Sequence, residues 1–267
     1  MKIGLCLSGG GVKGAAHIGV IKALEESNVK IDYVSGTSSG SIVAALYACG
    51  YKANEMLDIF KKYAKKIKYI DFKNIVKLIG GIIVKREIVI DGLTEGKAIT
   101  RIMNDACRKK NIVRMRDINM PILIPSVDLH TGELYFFVSK LNKRGYSDNI
   151  IYTNNINVAD AVRASCSYPG VFTPCRYNNV ELIDGGIREN TPWRELKAMG
   201  ADMIISVIFE KKTKQQCCRN VIEVVENSLN IMSHELANYE LMGNSGLLRI
   251  KSDNIGLLDV SKVEELY

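Results

Sequence analysis

The sequence predicts an α/β fold, a three-layer α/β/α sandwich on a largely parallel central sheet. Three observations carry that expectation. Short apolar runs of strand character alternate with stretches of helical periodicity, glycine turns join the first strands to their helices, and 267 residues suffice for one large core. Alternating strands and helices imply an open sheet covered on both faces. A single domain over residues 1–267 is therefore expected. With 47% hydrophobic and 24% charged residues, the chain has the composition of a folded protein rather than a disordered one.

Lys2 to Leu7 reads as a buried strand, followed by a glycine turn and a helix from Gly14 to about Ser27. Tyr33 to Ser35 repeats the unit, leading into a helix over Ser41 to Cys49 that Gly50 ends in a left-handed conformation. Met56, Leu57, Phe60, Tyr63, Ala64 and Ile67 give helical spacing from Ala53 to Lys66, and Thr94 to Lys110 is a further helix with Thr94 as its cap. The apolar, glycine-interrupted segment 71–90 lies between them, either as packed core or as a mobile cover over a pocket, and residues from about 53 to 115 form a helical region that is a candidate cover of an active site. Two hairpins follow, one joining Pro121–Asp128 to Leu134–Ser139 and one turning at Asn178-Asn179 between Cys175–Tyr177 and Val180–Ile183. A short helix precedes a strand over Ala201 to Phe209, and Val221 to Leu241 is a long helix.

Seven cysteines, an odd number with no CxxC spacing, fit reduced thiols. The N-terminus shows no signal-peptide pattern, and the run Leu78 to Val84 is too short for a transmembrane helix. A cytoplasmic protein, peripheral at most to the membrane, is expected. The formal charge of +7 suits an anionic membrane surface or a nucleic acid. Lys61, Lys62, Lys65, Lys66 and Lys68 cluster near one helix, either as a solvated face or as a docking patch.

The strongest chemical signal is Gly36-Thr37-Ser38-Ser39-Gly40 between a strand and a helix. A nucleophile elbow requires this context, because the flanking glycines permit a sharp turn that presents the serine beside a positive helix N-terminus. The competing reading is a simple helix cap by Ser38 or Ser39. Gly9, Gly10, Gly11, Val12, Lys13 and Gly14 form a loop whose backbone amides can face a cavity and hold an oxyanion. Gly9, Gly11 and Gly14 also satisfy Gly-x-Gly-x-x-Gly, but the acid that should end the second strand of a nucleotide-binding unit is absent, since Asp32 precedes that strand. A Walker loop fails because Gly14 follows Lys13. Asp184-Gly185-Gly186 ends a strand, where the acid is aimed at a site or merely begins a turn.

Together with Arg163 to Pro174, these elements resemble the patatin-like phospholipase family over most of residues 2 to about 210. The resemblance implies a patatin-like α/β/α fold, an oxyanion hole in the glycine loop, Ser38 as nucleophile and Asp184 as base. Lys13 fills a position where the family carries Arg or Lys, and Asn190-Thr191-Pro192 matches its Asn-x-Pro. Beyond about Lys211 no motif carries over. The implied activity is cleavage of a lipid or acyl ester, with no cofactor, no metal and no nucleic-acid partner. Two rivals stand beside it. One is a non-catalytic lipid-binding protein on the same fold. The other is a Ser-Asp-His esterase using His234, which gives the chain order of α/β-hydrolases. His17 reads as a packing histidine, with bracing of the glycine loop as its other use, and His130 lies in a turn.

Overall fold

The computed structural model describes residues 1–66, 92–141, 149–210, 221–244, 246–251 and 260–267. The glycine-interrupted segment 71–90 lies outside the described residues. The first units are β1 (Ile3–Leu7), α1 (Ala15–Glu26), β2 (Tyr33–Gly36) and α2 (Ser39–Ala48), with a 3₁₀ turn at Gly11–Gly14 leading into α1. Then come α3 (Ala53–Lys66), α4 (Lys97–Lys109), β3 (Ile122–Asp128), β4 (Leu134–Val138), β5 (Ile150–Thr153) and α5 (Val158–Ser165). The rest is β6 (Cys175–Tyr177), β7 (Val180–Asp184), α6 (Trp193–Ala198), β8 (Met203–Glu210), α7 (Val221–Glu240), β9 (Leu247–Lys251) and α8 (Val263–Leu266).

The strands form one sheet in the order β5-β4-β3-β2-β1-β8-β9, with β7 paired to β3 and β6 to β7. The centre is parallel, since β1 pairs in parallel with both β2 and β8, and β2 with β3. The antiparallel pairs β3–β4 and β6–β7 are the two expected hairpins, and Asn178 takes φ 54° in the second turn. Alternation along β1 builds the layers. Leu5 and Leu7 enter the large core beneath α1 and α2, whereas Cys6 faces the opposite side with Tyr33, Leu196 and Ile204 under α6. Each large side chain removed fully from water, Phe60 and Ile18 among them, contributes about 1.5–3 kcal/mol.

Two local expectations are corrected. Thr94 does not cap α4; it pairs as an isolated bridge with Phe172, and the helix starts after Gly96, which takes a left-handed φ of 64°. Helix α2 begins at Ser39, two residues earlier than its apolar pattern suggests, because the elbow turn feeds directly into it. Gly50, at φ 85°, ends that helix as expected. β5, α5 and β9 were not anticipated. Among the described residues, no helix is long and apolar enough to cross a membrane.

Candidate active site

The two parallel strands β1 and β2 end side by side, and their following turns meet above the sheet. Ser38 sits at the second turn with φ 51° and ψ −124°, an uncommon conformation for an L residue, and its side chain makes no helix-capping bond. The cap explanation for Ser38 is thereby displaced. The glycines on either side are sterically required. A Cβ on Gly36 would run into the Gly40 carbonyl, and one on Gly40 would run into the carbonyls of Leu7 and Ser8. Thr37 fastens the turn by donating its hydroxyl to the Glu189 carbonyl at 3.2 Å.

Asp184 ends β7, which lies antiparallel to β3 and so carries the acid to the same side as the elbow. Its carboxyl is buried, with Oδ1 accepting the Gly186 N–H at 2.8 Å and Oδ2 left without a hydrogen bond. Burial pushes the Asp184 pKa up to about 6, while the Ser38 hydroxyl and the Gly186 amide act to lower it. The Ser38 hydroxyl thus lies close enough to the carboxyl to favour its ionised form.

A cavity of about 380 Å³ opens onto both residues, and Gly10, Phe209, Ala237 and Leu241 also line it. Gly11 turns the loop with φ 60°. The Gly9 amide donates to Asn190 Oδ1 at 2.9 Å and the Lys13 amide to the Gly10 carbonyl at 3.2 Å, so these two N–H groups shape the loop. Gly10 and Gly11 lie at the cavity. His17, fully buried, holds the Ser8 carbonyl with Nε2 at 2.8 Å, and burial lowers its pKa to about 4. It braces the loop as a neutral imidazole whose Nε2 donates.

The structure adds residues with no signal in the sequence spacing. Ser165, the last residue of α5, accepts the Ser38 N–H on its hydroxyl at 3.0 Å, and the Ser167 carbonyl accepts the Asp184 N–H at 3.0 Å. One short segment thus holds the backbone of Ser38 and Asp184 together. It belongs to the stretch Arg163 to Pro174, which the sequence flagged only through resemblance. Ser233, Ala237, Asn238 and Leu241, on or just beyond α7, also line the cavity. The described part of residues 53–115 contributes none of the cavity lining. The side chain of His234 lies outside the described residues. His130 is exposed and pairs with Glu181 at 3.1 Å. Asp32 stands before β2, accepting the Ile3 N–H at 3.0 Å and pairing with Lys30, which leaves no ribose-binding acid at the strand end.

Comparison with known proteins places this architecture. The family described as Patatin-like phospholipase matches residues 5–197. Lysophospholipase NTE1 of Meyerozyma guilliermondii is 29% identical over 205 residues, covering 77% of this chain and 12% of the relative. Lysophospholipase NTE1 of Saccharomyces cerevisiae is 29% identical over 205 residues, covering 77% of this chain and 10% of its own length. The chain thus spans only a small part of these relatives. Among solved structures, VipD from Legionella pneumophila aligns with a TM-score of 0.48 at 14% identity, over 99% of this chain and 66% of that one.

Proposed function

The chain belongs to the patatin-like phospholipase family, and from that premise we propose that it is a serine lipid acyl hydrolase working through a Ser38–Asp184 dyad. The observation that carries the proposal is the buried, unbonded Oδ2 of Asp184 beside a serine held at a strained elbow. Ionised Asp184 takes the Ser38 proton as Oγ attacks the ester carbonyl. The Gly10 and Gly11 amides, with the rest of the Gly9–Gly14 loop holding them in place, receive the developing oxyanion. Collapse breaks the ester bond, and the proton passes from Asp184 to the departing alcohol. Water then attacks the acyl-serine, giving a proton to Asp184; collapse breaks the acyl–Oγ bond, Asp184 returns that proton to the Ser38 oxygen, and the fatty acid leaves.

A raised Asp184 pKa makes the carboxylate a better base than an exposed aspartate, while remaining ionised at neutral pH. The oxyanion donors are backbone amides, so hydrolysis is expected to survive a chelator. We further propose that residues 1–267 form one patatin-like domain, in a cytoplasmic protein that meets membranes peripherally. Unpaired thiols at Cys6, Cys49, Cys107, Cys166 and Cys175 support the reducing compartment. The test is covalent labelling by a fluorophosphonate together with turnover of acyl esters. Labelling at Ser38 that disappears in Ser38→Ala is expected; a folded protein that binds lipid, takes no label and cleaves no ester would be the non-catalytic alternative.

A further inference from the structure

The glycine loop is connected by hydrogen bonds to a helix that lies beyond the family-matched residues. Glu240, the last residue of α7, is 5% exposed and turns its carboxylate onto the loop after β7. Both of its oxygens accept the Asn190 N–H, at 3.0 and 3.1 Å, and Oε2 also accepts the Thr191 N–H at 2.9 Å. The Trp193 indole N–H donates to the Glu240 carbonyl at 2.6 Å, and Arg194 donates to the Met242 carbonyl at 3.0 Å. The end of α7 is therefore latched to residues 190–194 by both backbone and side chain.

Asn190 passes the constraint on. Its Oδ1 accepts the Gly9 N–H at 2.9 Å. There is no slack at this point, because a Cβ on Gly9 would lie 2.8 Å from Asn190 Oδ1 and 3.1 Å from Ser38 Cβ. Gly9 is thus wedged between Asn190 and the nucleophile, one residue ahead of the proposed oxyanion donors. A buried carboxylate accepting several N–H groups is a strong, geometrically demanding anchor.

We propose that Glu240 is a positioning residue of the acyl-transfer site, fixing the glycine loop through the backbone of Asn190 and Thr191 and the Asn190–Gly9 bond. The inference rests on the hydrolase proposal for its kinetic consequence and on the hydrogen bonds alone for its structural one. It gives the segment after the family match a stated task. Without that segment, the elbow and the acid would remain in place while the oxyanion loop lost its outer support.

The test compares the full chain with Glu240→Gln, Asn190→Ala and the double variant at pH 8, where Glu240, whose pKa burial pushes up to about 7, is ionised. Glutamine keeps the shape but sets an N–H₂ group against N–H donors. For a soluble ester, Glu240→Gln should lower kcat about ten-fold or more, a fraction of what outright removal of an oxyanion donor costs. KM should stay within about two-fold, as uniform binding is untouched. Phosphonylation of Ser38 by a fluorophosphonate should slow in step. The double variant should lose no more than the worse single one, since both changes cut the same connection. Amide hydrogen exchange at Gly9 should quicken in both single variants. Additive losses, or unchanged Gly9 exchange in a folded Glu240→Gln, would overturn the inference. If Glu240→Gln does not fold, Glu240→Asp, which keeps the charge but withdraws it by one methylene, is judged by the same readouts. A wild-type chain that takes no label at Ser38 would sink the hydrolase proposal instead, and Gly9 exchange would still decide the role of Glu240.

Discussion

In the proposed dyad Ser38 and Asp184 depend on each other: the serine needs a base, and among the described residues the buried Oδ2 of Asp184 accepts no other hydrogen bond. Ser38→Ala and Asp184→Asn are each expected to cost several orders of magnitude in turnover, since nucleophile and base act as a unit. His234→Ala is expected to leave near-normal rates; a folded His234→Ala protein as inactive as Ser38→Ala would replace the dyad with a triad. The pH profile is a separate check. Because the base must be ionised and its pKa is raised to about 6, kcat/KM should fall as pH drops through about 6. A profile flat down to pH 4.5 would exclude Asp184 as the base. At this scale the sequence was legible wherever the constraint is local. Gly36 and Gly40 flank the nucleophile in the chain, so the elbow announced itself. Ser165 touches Ser38 from 127 positions away, and nothing in its own neighbourhood marks it as a partner.

Helix α5 shows the same limit for a whole element. Its sequence gives no expectation of a helix, yet it meets α4, β3 and β7, and Ser165 at its C-terminal end and Ser167 just beyond it hold the Ser38 and Asp184 amides. Strands with apolar alternation and glycine turns were legible, as was α2 with Gly50 behind it. Helix α4 starts later than Thr94, a residue type that suits a cap, because the Thr94 backbone is taken up by Val171 and Thr173. Arg163 ties α5 to that neighbourhood. Its buried guanidinium donates to the Glu95 carbonyl at 2.9 Å, the Thr173 carbonyl at 2.8 Å and the Ser167 hydroxyl at 2.5 Å, and it lies over the Phe172 ring. Arg163→Met keeps much of the apolar stem and strips these acceptors of their donor. Leaving buried acceptors unpaired costs about 1–3 kcal/mol each, so a loss of about 3 kcal/mol or more is expected in urea unfolding. A change below about 1 kcal/mol would mean that this Arg163 network does not hold the segment.

Over the whole molecule the charge of +7 is unevenly committed. Lys61, part of the lysine cluster, pairs with Glu264 at 2.7 Å and helps tie α3 to the C-terminal turn, so it serves the fold, whereas Lys62 is exposed. If the remaining charge meets lipid, hydrolysis on anionic vesicles should exceed that on neutral ones and fall with salt; equal rates at every salt concentration would dismiss it. The acids beside the site make a second global prediction. Burial first, and then the charges of Glu240 and Glu195, push Glu189 up to about 8, against the favourable charges of Arg194 and Arg188. Burial pushes Glu240 up to about 7, against the Asn190 and Thr191 amides and Arg194. Both carboxyls ionise near 4.5 in an unfolded chain. Over the intervening pH range the folded state holds more protons than the unfolded one, so stability is greatest at the acid end and declines as pH rises through the folded values. His17 acts in the opposite sense, being pushed from 6.5 down to about 4, but it contributes no slope above about 6.5. Between pH 6.5 and 8 the acids decide the sign. The melting temperature should therefore fall across that interval, and Glu189→Gln should flatten the fall by removing the group that titrates highest. A wild-type melting temperature that rises from pH 6.5 to 8, or a Glu189→Gln chain with an undiminished slope, would show that these two carboxylates are not the repelling, desolvated pair their burial implies.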